Sequence, residues 1–352
     1  MPKTLMKGNE ALALAAIKGG CTHFFGYPIT PQNEIPEFLA RELPKAGGVF
    51  LQAESELAAI NMVYGAAAAG GRAMTSSSSP GIALMQEGMS SLAAAELPCV
   101  IVNAQRGGPG LGTIQPSQAD YYQMTRGGGN GDYRILSFAP ATVQEGAEMM
   151  MSAFDLAEIY RTPVFIVSDG MLGQMMEPVE FLEKPRRDLP AKDWTAVGHG
   201  GRRPPNTIKT LALDPTVLEE RNLALQAKYA RIVEQEARFE NYRIQGAEII
   251  LTAYGSTARI VRNAIDLLTE EGIAAGLIRP RTLWPFPAAA FLTLPASCRL
   301  ILTVEMSCGQ MVDDVRLAVN GRLPVTFYGR SGGIIPVPEE IARNVKTLLG
   351  RA

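Results

Sequence analysis

Four short segments of this 352-residue chain place chemically capable side chains beside rigid or small neighbours. Glu54-Ser55-Glu56 lies where an apolar run, Val49 to Gln52, gives way to an Ala-rich stretch. Two carboxylates so close, amid small residues that let another group approach, can serve as a working acid. The plainer reading is capping, because the helix dipole favours an acid at an N-terminus. The loop Gly26-Tyr27-Pro28-Ile29-Thr30-Pro31 carries the Thr30 hydroxyl between two stiffening prolines. It follows a strand and precedes a helix, and ligands in open α/β sheets bind beyond the carboxyl ends of strands. A stiff turn with Thr30 as a helix cap fits as well. Thr75-Ser76-Ser77-Ser78-Ser79-Pro80-Gly81 is a second such turn. There Ser79, with Pro80 at the first helical position, makes a good cap, and the hydroxyls and free amides can hold a polar ligand. Arg106 opens the loop Gly107 to Gly112. An arginine at a strand end suits a carboxylate, which it grips through two parallel hydrogen bonds; a surface salt bridge is the alternative. A second glycine cluster, Gly127 to Gly129 and Gly131, makes 107–131 a long mobile loop of a kind that often covers active sites.

Composition narrows the chemistry. With 33 basic and 35 acidic residues the chain has no electrostatic footprint for nucleic acid or an anionic membrane. No apolar run approaches the roughly 18 residues of a membrane span. The N-terminal stretch reads as an amphipathic helix, not a signal peptide, so the expected location is the cytoplasm. Cys21, Cys99, Cys298 and Cys308 form no CxxC pair. Iron–sulfur clusters take thiolates that are mostly closely spaced, and with only His23 and His199 a histidine-rich metal site is excluded too. Any redox metal is therefore expected on another chain, with no metal ligands here. HExxH, GxGxxG and the Walker A lysine motif are absent, which argues against common metalloproteases and P-loop enzymes.

The elements that must position these groups alternate. Helices are expected over Lys7 to Gly19, Glu34 to Leu43, Ser55 to Ala69, Ile82 to Ala95 and Val143 to Tyr160. Between them strands are expected at Thr22 to Phe25, Val49 to Gln52, Arg72 to Ser76, Val100 to Ala104, Arg134 to Phe138 and Val164 to Ser168. This pattern predicts an α/β fold with a parallel sheet covered on both faces. Residues 184–206, rich in Pro, Gly, Arg and Lys, read as an exposed excursion. Asp214-Pro215 starts a long helix, as N-cap and first position. Along it Leu218, Leu225, Ile232 and Phe239 recur every seven residues, a seam that packs on its own protein or on another subunit. A second α/β unit begins near Ala247. The expected divisions are 1–178, 179–245 and 246–352.

Taken in order, GYPITP (26–31), QAESELAAINMVYGAAAAG (52–70), TSSSSPG (75–81), RGGPGLG (106–112) and SDGMLGQMMEP (168–178) resemble the α-type subunit of 2-oxoacid:ferredoxin oxidoreductases. TAYGST (252–257), EMSCGQM (305–311) and GRSGGIIP (329–336) extend the resemblance over nearly the whole chain. It is closest to the enzymes for 2-oxoisovalerate (3-methyl-2-oxobutanoate) and 2-oxoglutarate. Departures are Cys308 and the fourth serine of TSSSSPG, where glycine is expected.

The resemblance implies a pyrimidine-binding thiamine diphosphate domain followed by a domain like the transketolase C-terminal one. It implies oxidative decarboxylation of a 2-oxoacid, branched-chain favoured, to acyl-CoA and CO2 with electrons passed to ferredoxin. Tyr27, Pro28, Ile29, Thr30, Glu54, Glu56, Ser78 and Ser79 are implied to line the cofactor. Counting back nine residues from Gly65, as the family's glutamate lies, gives Glu56 as the acid that bonds the aminopyrimidine, with Glu54 as runner-up. Thr30 and Arg106 are implied to bind the substrate carboxylate. The Mg2+ half of the site usually carries GDG and a later Asn, and Ser168-Asp169-Gly170 lacks that Asn. The resemblance therefore implies a β subunit bringing Mg2+ and a 4Fe-4S cluster, with γ and small ferredoxin-like subunits, in a hetero-oligomer with two α copies. A β-type subunit of an NAD-linked 2-oxoacid dehydrogenase complex and a non-catalytic scaffold subunit are the alternatives.

Overall fold

The computed structural model describes residues 3–182 and 188–351; residues 184–187 of the expected excursion lie outside them. In chain order the strands are β1 (Thr4–Lys7), β2 (His23–Gly26), β3 (Val49–Gln52), β4 (Ala73–Ser77), β5 (Cys99–Gln105), β6 (Leu136–Phe138) and β7 (Pro163–Asp169). They continue with β8 (Met176–Val179), β9 (Phe239–Tyr242), β10 (Ile249–Thr252), β11 (Ala275–Pro280), β12 (Thr282–Trp284), β13 (Leu300–Glu305) and β14 (Val325–Gly329). One sheet runs β12-β6-β7-β5-β4-β2-β3 and a second runs β14-β13-β10-β11-β9, while β1 and β8 form a separate ribbon. The central pairs of both sheets are parallel. Strands β5 and β7 are buried along their whole length, as an unbroken apolar run in a parallel sheet covered on both faces must be. The expected α/β class and parallel sheets are present.

Two short strands of the two sheets depart from the sequence pattern, and each is antiparallel. Strand β12 follows the second unit's β11, yet it pairs with β6 in the first sheet. Strand β9 comes from the stretch expected to be helix and linker, and it pairs with β11 in the second sheet. Phe239 consequently leaves the heptad seam: the helix ends at Glu236 and Phe239 opens β9. Within that helix, Pro215–Glu236, Asp214 caps as expected, its carboxylate accepting from the Thr216 amide at 2.9 Å. Leu225, Tyr229 and Ile232 are buried against the first sheet's outer layer, whereas Leu218 and Val233 are exposed. The single helix expected over 82–95 is two, Ser79–Leu84 and Gln86–Ala94, meeting at Met85.

The two sheets share a core. Ile101 and Phe165 of the first sheet belong to the same apolar cluster as Ile250, Tyr254, Met311 and Val315 of the second unit. A buried ion pair adds a directional tie. Arg279 donates to both Glu145 carboxylate oxygens at 2.8 and 2.9 Å, and Arg281 donates to one of them at 2.6 Å. Glu145 also closes the start of helix Val143–Tyr160, where its amide donates to Thr142 Oγ1 at 3.1 Å. Such a cap contributes about 1 kcal/mol. Among the described residues no helix is long and apolar enough to cross a membrane.

Candidate active site

The groups singled out from the sequence lie at the carboxyl ends of β2, β3, β4 and β5. Helix Glu56–Ala68 begins at Ser55, whose hydroxyl accepts from the Ala58 amide at 3.2 Å. Ser55 therefore does the capping. Glu56 occupies the first helical position and is 6% exposed, whereas Glu54 stands in solvent. The Glu56 side chain lies over Gly81. A Cβ built on Gly81 would fall 2.4 Å from Glu56 Oε1 and 2.1 Å from Ser77 Oγ, so only a residue without a side chain lets these groups meet there.

Helix Ser79–Leu84 takes Ser78 as its N-cap residue, and Pro80 is its second residue, one position later than the sequence suggested. Ser78 uses no side-chain cap bond, and its hydroxyl, like those of Ser77 and Thr75, is buried without a protein partner. Ser79 instead takes part in a network. Its Oγ accepts from the Arg106 amide at 3.0 Å and donates to Asp120 Oδ2 at 2.5 Å. Asn103 Nδ2 donates to the same carboxylate oxygen at 3.0 Å.

Arg106, just past β5, is 5% exposed, so the surface salt bridge considered from sequence is not what it makes. Its guanidinium donates to two main-chain carbonyls, Thr30 O at 3.0 Å and Leu111 O at 3.1 Å. Its Nε is buried without a partner. Thr30 thus meets Arg106 through its carbonyl, and its hydroxyl accepts from Asn33 Nδ2 at 3.5 Å. Asn33, not Thr30, is the N-cap residue of the next helix. The 26–31 loop is fastened from below: Asn9 Nδ2 donates to Pro31 O at 2.8 Å, and Ser76 Oγ donates to Gln32 Oε1 at 2.5 Å. Tyr27 and Pro28 face solvent, and Ile29 is half-buried.

The 107–131 stretch, expected as a long mobile loop, is fastened at many points. Gln118 donates from its amide to Met306 O at 2.8 Å and from Nε2 to Tyr254 O at 2.9 Å. Gln118 Oε1 accepts from Thr257 Oγ1 at 2.8 Å, and Gln310 Nε2 donates to Ala119 O at 2.7 Å. The second unit therefore grips the segment that leads from Arg106 to Asp120. Asp120, Asn103 and Gln118 were not singled out from sequence. A lone Asp after Gln118-Ala119 carries no spacing signal, and all three acquire meaning only when β4, β5 and the loop converge. Burial pushes the Asp120 carboxyl above its usual range, against the hydrogen bonds from Ser79 and Asn103 and the charge on Arg106.

Thiamine diphosphate has an aminopyrimidine ring that needs an acid partner and hydrogen-bonding neighbours, and a 2-oxoacid brings a carboxylate. The arrangement fits both. A buried acid at a helix start faces hydroxyls without partners, and a buried arginine makes no ion pair among the described residues. Burying an unpaired charge is costly, so the Arg106 cation is suited to an incoming anion.

Comparisons with known proteins identify the family. Residues 14–243 match the family described as pyruvate flavodoxin/ferredoxin oxidoreductase, thiamine diphosphate-binding, and residues 247–341 match pyruvate:ferredoxin oxidoreductase core domain II. The chain is 46% identical to ketoisovalerate oxidoreductase subunit VorB of Methanothermobacter marburgensis, over 100% of this chain and 99% of that one. It is 36% identical to 2-oxoglutarate synthase subunit KorA of Methanothermobacter thermautotrophicus, over 96% of each. A solved structure of 2-oxoglutarate:ferredoxin oxidoreductase from Magnetococcus marinus, with 2-oxoglutarate, coenzyme A and succinyl-CoA bound, superimposes with a TM-score of 0.88 at 29% identity. That match covers 98% of this chain and 65% of the longer one. The family match favours the ferredoxin-linked reading over the NAD-linked dehydrogenase and the scaffold. A thiamine diphosphate-binding unit followed by a core domain II accounts for most of the sequence, and the chain belongs to the 2-oxoacid:ferredoxin oxidoreductase family as a subunit of that enzyme.

Proposed function

We propose that this chain supplies the aminopyrimidine half of a thiamine diphosphate site that decarboxylates a branched-chain 2-oxoacid to acyl-CoA and CO2, with electrons passed to ferredoxin. The observation that carries this is the buried Glu56 carboxylate held against Gly81 and Ser77, at the same sheet end as the unpaired Arg106. Thiamine diphosphate, when bound, supplies a carbon nucleophile for the 2-oxo carbon and a sink for the electrons left by CO2. Glu56 holds a proton at the pyrimidine nitrogen, and the Ser77 and Ser78 hydroxyls line the ring's approach. The loop that carries Thr30 adds the half-buried Ile29, with Tyr27 and Pro28 facing outward. The Arg106 guanidinium, anchored on the Thr30 and Leu111 carbonyls, orients the substrate carboxylate, with the Thr30 hydroxyl beside it. Ser79 reaches the site through Arg106, and Glu54, exposed, stays outside it.

Two observations support a branched-chain substrate. Identity to the ketoisovalerate relative exceeds that to the 2-oxoglutarate relative by ten percentage points, 46% against 36%. The loop that Arg106 holds also carries the exposed aliphatic side chains of Leu111 and Ile114.

Mg2+ and the 4Fe-4S cluster are assigned to a β subunit. Burial pushes the Cys21 thiol up to about 12, raises Cys99 further and raises Cys298 as well. A thiolate ligand at any of these three is therefore expensive. A γ chain, small ferredoxin-like subunits and two α copies are assigned to the same assembly, and coenzyme A, bound in the Magnetococcus structure, is assigned as co-substrate. A cytoplasmic location completes the reading. The test is the native complex, assayed for viologen reduction with 2-oxoisovalerate against 2-oxoglutarate. Glu56→Gln is expected to assemble and to lose nearly all activity, and full activity in that variant refutes the assignment. Faster turnover of 2-oxoglutarate refutes the substrate.

A further inference from the structure

Asp120 directly precedes the short helix Tyr121–Thr125, where an aspartate ordinarily caps the helix amides. It makes no such bond. Its carboxylate turns back to accept from Ser79 Oγ at 2.5 Å and from Asn103 Nδ2 at 3.0 Å. A serine hydroxyl has one proton and two lone pairs. With that proton committed to Asp120, a lone pair is left for the Arg106 amide, which donates to Ser79 Oγ at 3.0 Å. The next carbonyl, Arg106 O, also lies 3.2 Å from Ser79 Oγ and would take the proton if Asp120 did not. Asp120 thereby sets which way the hydroxyl points, and so what the main chain of Arg106 is fixed to. The carboxylate also lies close enough to the guanidinium for their charges to interact, without an ion-pair contact.

We propose that Asp120 is a positioning residue for oxoacid binding: through Ser79 it fixes the Arg106 main chain, and with it the place where the guanidinium receives the substrate carboxylate. This rests on the assignment of Arg106 to that carboxylate. The loop path strengthens it, because Asp120 is itself held by the second unit. Gln310 binds the carbonyl of Ala119 and the amide of Tyr122, and Gln118 is bonded to Met306, Tyr254 and Thr257. Asp120 is thus a rigid point against which Ser79 can be oriented.

The test is a double-mutant cycle in the assembled complex, read as KM for 2-oxoisovalerate, KM for coenzyme A and kcat. Asp120→Ala is expected to raise the oxoacid KM about tenfold, as loss of a charge-assisted hydrogen bond does, with the coenzyme A KM unchanged. Asp120→Asn keeps an acceptor for Ser79 and should recover most of that rise. In an Arg106→Ala background, Asp120→Ala should add nothing to the oxoacid KM. An additive rise, or an unchanged oxoacid KM in Asp120→Ala, overturns the proposal. So does an equal change in both KM values, which marks general distortion. If Asp120→Ala does not assemble, Asp120→Asn decides alone: a small rise confined to the oxoacid supports the proposal, and a rise in both or neither overturns it. If Arg106→Ala leaves the oxoacid KM unchanged, the Arg106 assignment fails and takes the proposal with it. That outcome is distinct from a raised Arg106→Ala value beside a normal Asp120→Ala one.

Discussion

Replacing Gly81 by alanine attacks the site through a single methyl group. The added Cβ would lie 2.4 Å from Glu56 Oε1, 2.8 Å from Glu56 Cγ and 2.1 Å from Ser77 Oγ. Ordinary van der Waals contact begins near 3.4 Å, so the carboxylate must move by about 1 Å, a misplacement that can cost about 100-fold in rate. The alternatives to that movement are poor. Ser77 ends a fully buried strand, and the helix carrying Gly81 is tied to Arg106 and Asp120 through Ser79. The fold should survive, since overpacking costs about 1–3 kcal/mol against a stability of about 5–15 kcal/mol. Gly88→Ala is the matched control. Its Cβ would meet Ile60 Cγ2 at 2.6 Å, one turn further along the helix that starts at Glu56, against an apolar side chain instead of the carboxylate. Viologen reduction by the assembled complex and thermal melting are measured for both. Gly81→Ala is expected to lose about 100-fold in kcat at nearly unchanged assembly, and Gly88→Ala to lose stability but stay within about threefold in kcat. Activity near wild type in Gly81→Ala, or equal losses in the two variants, refutes the placement of the reacting acid against Gly81.

Two more outcomes are expected. Arg106→Ala should raise the oxoacid KM far more than the coenzyme A KM, and steady-state kinetics with each substrate varied separately check this. Glu145→Ala should cost about 1.5–3 kcal/mol, because the buried Arg279 loses its bidentate partner and keeps only Glu240, as read by the thermal melting of the complex. Its pH dependence has a definite sign. Burial alone would raise the Glu145 carboxyl, but the Arg279 hydrogen bonds and charge outweigh it and hold the group below its usual range. The stabilisation is therefore complete above the unfolded carboxyl value of about 4.3 and is lost as pH falls through the lower folded value. The gap in melting temperature between wild type and Glu145→Gln should narrow only on the acid side.

Periodicity and turn residues made most elements legible, because apolar strands and capped helices announce themselves locally. Strand β3 and helix Val143–Tyr160 fall where the sequence places them. What escaped was non-local. Strand β12 is three residues long and is a strand only because β6 of the other sheet lies beside it. Phe239 keeps the heptad spacing yet leaves the helix, because pairing of β9 with β11 replaces the last turn. Spacing did not separate Glu54 from Glu56; in the fold Ser55 caps the helix, Glu56 is buried and Glu54 is exposed, a difference that their adjacency in sequence does not announce. Arg106 was visible as a cation at a strand end, but its burial was not. Asp120 was silent, since its meaning depends on two strand ends and a loop that are 17 to 41 residues away in sequence.

The arrangement also explains why the second unit accompanies the first although none of the assigned site residues belongs to it. Strand ends set Glu56 and the serines, and those positions are fixed by the sheet itself. Arg106 differs, because β5 ends there and the chain enters a glycine-rich loop that has no sheet to hold it. Loop segments without anchors sample many conformations, and each costs free energy to order on binding. Met306, Tyr254, Thr257 and Gln310 remove that freedom beforehand by bonding Gln118 and Ala119. Glu305 supports them in turn. Its buried carboxylate accepts from the amides of Gln310, Met311 and Val312, which fixes the start of the helix and the tight loop 306–310. Through Gln310, the 119–120 segment and Ser79, a buried acid in the second sheet is thereby connected to the Arg106 main chain in the first. Preorganisation of this kind favours binding by reducing its entropic cost, not by adding contacts.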